Sequence, residues 1–565
     1  MFNKKQEALF TVNTSNSSTT SATMDSPFVK AGLKKSAETL SGNGALKYQT
    51  TGNEFVDEFG QLGNFKAPRE YKDVASSMSI LWAKNPYMTM CFLFFIRMIT
   101  RVVSLFDGTK TASVQRGSGL KHEGILRMMW VSINHSDIFW RNIQLYISIG
   151  CWKDIIQMLS YDLQYNGWDN RVLDWNEFGK LILVGLENPK TSELLKKYLP
   201  QIKSNNQCKT LESQADNIIS KWICSLLFGG KTAEDSYKNY KSYRQLKSGG
   251  TAHQWQQLIS QSKHNLVDFN TVHGRALALM VSGKYLANQG LEAKYEEWIA
   301  SKPIAKFTGF VYELFEKLPQ KKYQIDTLNA QFSGLVETAK KGVVQSNSMI
   351  VVRDTSGSMS SVANGTKSTC YDIAKSLALF FSYMLPKGTF ADTWIEFNDT
   401  AKMYQWKGST PFEKWSNDKS NFIGSTDFQS VITLLCTIKS QGVQESEFPT
   451  GILCISDSEF NPTSLNATNV EQALRTLSDA GFSLDYVNNF KIVLWNLQSM
   501  AYGGAGNKFE TYGNVDNVYY FSGFDGSIIS FLTGVEGQKP GTEPKNAEEL
   551  FQVAMSQEIM QMIQV

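Results

Sequence analysis

The residues best suited to chemistry lie in the C-terminal part of the chain. Asp354-Thr-Ser356-Gly-Ser358 follows directly on the apolar run MIVV. One carboxylate and two hydroxyls on a short loop are hard oxygen donors, which suit Mg²⁺ or Mn²⁺ rather than zinc. Gly357 lets the loop bend with both hydroxyls turned inward. Two later stretches offer matching oxygens: Thr426 in Gly424-Ser-Thr426-Asp427, and Asp457 in Ile455-Ser-Asp457-Ser-Glu459. Two carboxylates and three hydroxyls neutralise a dication and leave a position open for a partner's carboxylate or phosphate. Hydrolysis needs a general base, and these loops carry neither His nor Cys, so a non-catalytic binding role is expected. Asp427 and Glu459 are expected to organise the loops by hydrogen bonding. Two other readings stay open. Ser356 and Ser358 could cap the following helix, although that needs neither Thr426 nor Asp457. A formed site could also act without metal, stabilising its loops.

The elements that must position these residues are strands and helices in alternation. From about residue 348, apolar runs rich in β-branched residues (SMIVVRD, ADTWIEFND, AKMYQWK, GILCISDSEF, FKIVLWNLQ, NVYYFSG) alternate with amphipathic stretches such as CYDIAKSLALFFSYML and NVEQALRTLSDAG. That pattern predicts a doubly wound, Rossmann-like α/β sheet, with ligands outside the carboxyl ends of its strands. The order and spacing of the oxygen donors resemble the metal-ion-dependent adhesion site of von Willebrand factor A domains, over about 348–535. The resemblance implies one bound cation, Mg²⁺ or Mn²⁺, on Asp354, Ser356, Ser358, Thr426 and Asp457.

Upstream, from about 70 to 345, proline is rare and apolar residues recur every three or four positions, as in PYMTMCFLFFIRMITRVVSLF and FWRNIQLYISIGCWKDIIQML. This predicts an all-α module, either a HEAT-like solenoid or an irregular bundle. No clean repeat period is present. A helical front joined to an α/β back resembles the TROVE-domain proteins, the Ro autoantigen family. The resemblance is greater to an uncharacterised branch found in plants, bacteria and viruses. It rests on LSGNGALKYQTTGNEFVDEF, NPYMTMCFLFFIRMITR, GCWKDIIQML, STDFQSV, ISDSEF and IVLWNL, and spans about 38–560. It implies a ring of helices that carries small structured or single-stranded RNA. The expected organisation is a disordered Ser/Thr/Asn-rich tail (1–36), a helical TROVE-like module (37–345) and a von Willebrand A-type domain (346–540). A terminal helix (541–565) is expected to pack back on the helices or the sheet.

The front can offer cations to phosphates: Arg97, Arg101, Arg116, Lys121, Arg127 and Arg141, then Lys238, Lys241 and Arg244 interleaved with Tyr237, Tyr240 and Tyr243. Cations beside aromatics form the pattern of single-strand binding. On a helix, Tyr237, Tyr240 and Arg244 share a face. The bland reading is a solvated helix face, and for Arg97 and Arg101 a buried ion pair is an equal alternative to RNA contact.

The chain has 565 residues, which predicts more than one domain, and its net charge is only +3. That average hides a split: 42 Lys+Arg against 30 Asp+Glu in residues 1–350, and 14 against 23 in 351–565. A basic front and an acidic back suggest different partners. Seven scattered cysteines predict free thiols in a reducing compartment. The most apolar window is too short for a membrane span and holds Arg97. A cytoplasmic protein, or one within a virus particle, is expected. The function expected is an RNA-binding scaffold of Ro ribonucleoprotein type. The alternative is a protein-interaction or virion assembly component that clasps a partner carboxylate through the cation.

Overall fold

The computed structural model describes residues 38–40, 43–48, 50–103, 113–229, 233–248, 254–302, 305–341, 348–384, 390, 392–420, 424–463, 467–497, 511–533 and 543–565. The tail expected over 1–36 lies outside them.

The front of the chain is helical, as its periodicity predicts. Helix α1 (Pro86–Arg97) starts where Asn85 accepts the Met88 N–H, with proline at its first position. Its run of Phe and Leu is buried all round, between α2 (Lys121–Asn134) and neighbouring helices. Two short hairpins break the helical pattern. One pairs β1 (Glu38–Leu40) with β2 (Leu46–Tyr48). The other pairs β3 (Ile99–Val103) with β4 (Ser113–Ser118). The second corrects the expectation that the helix of residues 86–106 continues through ITRVV. Met98 turns extended, and the β-branched residues that follow favour a pleated strand.

The C-terminal sheet has six strands: β5 (Met349–Asp354), β6 (Thr393–Phe397), β7 (Ala401–Gln405), β8 (Gly451–Ser456), β9 (Lys491–Asn496) and β10 (Val518–Ser522). The order across the sheet is β10-β9-β8-β5-β6-β7, parallel except for β7. Strands β5 and β8 are buried at every residue, as continuous apolar runs in a parallel sheet require. Crossover helices α5 (Cys370–Met384), α6 (Gln429–Ser440) and α7 (Asn469–Asp479) join them. Thr468 and Glu471 close a capping box at the start of α7.

The two regions share one hydrophobic core that runs from Phe55 to Ile563. The charge boundary near residue 350 is therefore not a boundary in the packing. Helix α4 (Lys322–Lys340) places Phe332 against Phe380 of α5, and Phe315 stacks on Trp415 with ring centroids 4.0 Å apart. A smaller second core gathers Trp255, Phe269, Tyr295 and Tyr323. The last helix, α8 (Ala547–Met555), returns to the front. Its Phe551 ring lies 5.6 Å from Phe55, 5.8 Å from Phe59 and 5.5 Å from Phe92. Gln557 then exchanges hydrogen bonds with the Arg116 backbone, and Asn142 does so with Gln564.

That aromatic knot makes the fold depend on α8. Phe551→Ala is expected to lower unfolding free energy by about 3–5 kcal/mol in denaturant titration. The exposed neighbour Gln552→Ala should stay within about 0.5 kcal/mol of the parent.

Candidate functional site

The chain leaves β5 toward β6 on one side and leaves β8 toward β9 on the other. The crevice between the carboxyl ends of β5 and β8 is thus the switch point of the sheet, where ligands bind in such folds. Asp354 is the last residue of β5, and Asp457 follows the last residue of β8. Because Arg353 pairs with Ile455, the next step brings Ser456 beside Asp354. The Ser456 hydroxyl donates to Asp354 Oδ2 at 2.5 Å, and the Ser356 N–H donates to Oδ1 at 2.8 Å. The hydroxyls of Ser356 and Ser358 lie 3.1 Å apart, and Ser358 hydrogen-bonds Asp457. The Gly357 N–H donates to the Gly424 carbonyl at 3.2 Å, which ties this loop to the one carrying Thr426. Thr426 is buried and held by Asn461, whose N–H donates to its carbonyl at 2.9 Å. All five candidate oxygen-bearing residues therefore sit on three loops at one sheet edge. Ser358 is half-buried and Gly357 exposed, so the group is open on that side.

The electrostatics are unfavourable for two bare anions. Burial, and then the charge of Asp457, push the Asp354 carboxyl up to about 7. Burial also raises Asp457. Asp457 Oδ1 is buried without a hydrogen-bond partner. Two dry carboxyls of like charge require a proton or a cation between them. A buried oxygen with a free lone pair on the carboxyl that Ser358 hydrogen-bonds, with the Ser356 hydroxyl next to it, fits a hard dication. Among the described residues no group of three His, Cys, Asp or Glu side chains gathers as a metal cluster, so any ion here would rest on a hydroxyl-rich set.

Reading the sequence missed three neighbours. Ser456 braces Asp354; it sits within the segment ISDSEF, and strand pairing supplies its role. Cys370 is a buried thiol near both acids, raised by burial and by Asp457, which makes it a poor nucleophile. Arg353, behind Asp354, is fully buried and pairs with Asp418 at 2.7 Å and with Glu396, its face over Tyr371 and Trp394. Asp427 stands just before α6 and accepts the Gln429 N–H at 3.1 Å. The Glu459 carbonyl accepts from Asn43, which places the N-terminal hairpin beside the Asp457 loop.

The nine cations singled out for RNA part ways. Arg97 is buried against Asp154, 2.8 Å from its Nε, and Lys121 reaches the same carboxylate at 3.3 Å. Arg127 is fully buried between Glu58 and Glu123. Arg116 is buried and donates to the Ala339 and Lys341 carbonyls. Arg101 donates to the Ser148 carbonyl. Burial takes Arg97, Arg116 and Arg127 off the solvent surface, because apolar helices and a buried strand carry them inward. Arg141 is exposed beside Asp137. Lys238, Lys241 and Arg244 are exposed on helix α3 (Ala233–Ser248), with Tyr237 exposed, Tyr240 half-buried and Tyr243 fully buried.

A carboxyl raised on folding stabilises the fold while protonated. That stability is present below the unfolded value near pH 4 and is lost as pH rises through about 7. In chelator-containing buffer, unfolding free energy of the parent minus that of Asp354→Asn should fall between these limits by an amount on the order of a few kcal/mol. A constant difference in urea titrations across that window would refute the assignment.

Residues 347–563, which take in the six-stranded sheet and α8, match the family model of a domain of unknown function (DUF7788). No curated protein matches the chain.

Proposed function

We propose that this protein is a non-catalytic binding scaffold whose specific contact runs through a divalent cation, Mg²⁺ or Mn²⁺, at the carboxyl edge of the sheet. The observation that carries the reading is the pair Asp354 and Asp457, two buried carboxyls with one oxygen left without a partner. Asp354, Ser356, Ser358, Thr426 and Asp457 would hold the ion, in the manner of the adhesion site of von Willebrand factor A domains. When bound, the ion supplies an open coordination position for a carboxylate or phosphate of a partner. The strand order and the switch-point location support that likeness. The raised thiol of Cys370 is a poor nucleophile, which supports binding over covalent hydrolysis.

A second reading, RNA binding of Ro ribonucleoprotein type on a HEAT-like helical front, is favoured by one observation. Lys238, Lys241 and Arg244 stand exposed on one helix beside exposed Tyr237. No helix among the described residues is long and apolar enough to cross a membrane.

Titration with Mg²⁺ or Mn²⁺ should raise the unfolding free energy of the parent by about 2.7 kcal/mol at one hundred times the dissociation constant. Asp457→Asn should abolish the gain, and a poly-glutamate surface should retain the parent only until chelator is added. A metal response identical in parent and variant sinks the cation reading. For RNA, log affinity should fall linearly with log salt, and Lys238→Ala and Lys241→Ala should each reduce the slope by about one. A flat salt dependence sinks that second reading.

A further inference from the structure

A cavity of about 750 Å³ lies where the main body meets the segment around the smaller core. The main body contributes Lys66, Arg97, Lys121 and the apolar Ile99 and Leu120. The other side contributes Arg275, Lys306 and Thr308. Among the described residues no Asp or Glu lines it. Two carboxylates stand behind the lining: Asp154 engages Arg97 and Lys121, and Glu313 engages Arg275 at 2.7 Å. Lys66 lies over the Phe310 ring at 4.4 Å, and Lys306 is exposed. Five cations thus face two contacting carboxylates, and the surplus positive charge points into a partly enclosed space.

Half-buried like charges repel one another and lose hydration, and burial lowers the pKa of both Lys66 and Lys121. A bound polyanion would relieve both penalties. The volume is that of a site for a small organic ligand, and junctions between packed units are where such sites occur. With the Arg97 and Arg275 guanidiniums held by Asp154 and Glu313, the ammonium groups of Lys66, Lys121 and Lys306 supply point charges that suit phosphate oxygens, while Ile99 and Leu120 suit an uncharged moiety.

We infer that this cavity binds a phosphate-bearing small molecule of nucleotide size. The site shares no residue with the crevice at the sheet edge or with the helix Ala233–Ser248, so its fate is independent of both functional readings.

The test is equilibrium binding of ADP, pyrophosphate and adenosine to the full chain at low salt. ADP and pyrophosphate should bind competitively, and adenosine should not. Lys306→Glu, a change at an exposed position, should weaken ADP by at least about tenfold. Lys402→Glu, exposed on β7, should leave ADP binding unchanged. The inference is overturned if neither phosphate compound binds, if adenosine binds as well as ADP, or if Lys306→Glu leaves ADP affinity intact. It is also overturned if a single-stranded RNA oligonucleotide binds through Lys306 and neither ADP nor pyrophosphate competes with it.

Discussion

Two carboxyl groups held out of water at the ends of neighbouring parallel strands set the terms for the C-terminal half. Asp354 and Asp457 face each other because β5 and β8 run parallel in a fixed register, with Arg353 opposite Ile455. A slip of one residue would turn Asp354 to the other face of the sheet and bring a different side chain to the crevice. Their surroundings are built to tolerate them: Ser456, Ser356 and Ser358 each direct a polar hydrogen at an acid oxygen. The positive φ of Ser458, 64°, and its N–H bond to Ser456 Oγ hold the turn that presents Asp457. A non-glycine residue in this region costs about 1 kcal/mol or more, so the surrounding contacts must over-determine the turn.

The sheet is in turn fixed from behind by the helical front. Strand β10 is buried along its length, and Phe521 meets Phe59 of the front at 6.4 Å. Phe310 and Tyr312 close on Phe524 beyond β10, and Phe332 closes on Phe380 at the crossover helix. Most of these contacts join segments more than two hundred residues apart, so the front and the sheet should unfold together rather than as separate domains. The smaller core around Tyr295 is the exception, touching the main body mainly through helix α4. The cationic cavity opens at that weaker junction, where side chains part enough to leave space.

The six strands and their crossover helices were legible because buried parallel strands read as unbroken β-branched runs, and MIVV, GILC and KIVLW do so plainly. The three site loops were legible because each follows such a run or precedes a helix. What periodicity could not reveal was pairing. Ser456 becomes part of the site only through the β5–β8 register, and Cys370 only through the packing of α5. The front misled in two ways. ITRVV continues an apolar helix without a glycine or proline to stop it, so the strand at Ile99 was hidden. Arginine counts also say nothing about direction: Arg97 and Arg127 sit on helices buried on nearly every side, and each meets an acid carried by another turn or helix.

The charge asymmetry of the chain has a different meaning once those arginines are placed. Part of the front's positive charge is internal: Arg97, Arg116 and Arg127 neutralise acids or cap carbonyls inside the fold. Among the described residues, exposed cations cluster on the helix Ala233–Ser248, and others line the cavity. The acidity of the back is partly internal too. Glu396 and Asp418 surround Arg353, while Asp354 and Asp457 occupy the crevice. In a low-dielectric interior a charge acts over its immediate shell, and salt screens whatever reaches the surface beyond about 8–10 Å. The sign of a half-chain is therefore a poor guide to its partners. What decides them is which charges lack a counter-charge at contact distance: an anion's oxygen at the sheet edge, which calls for a cation, and surplus ammonium groups at the cavity, which call for an anion.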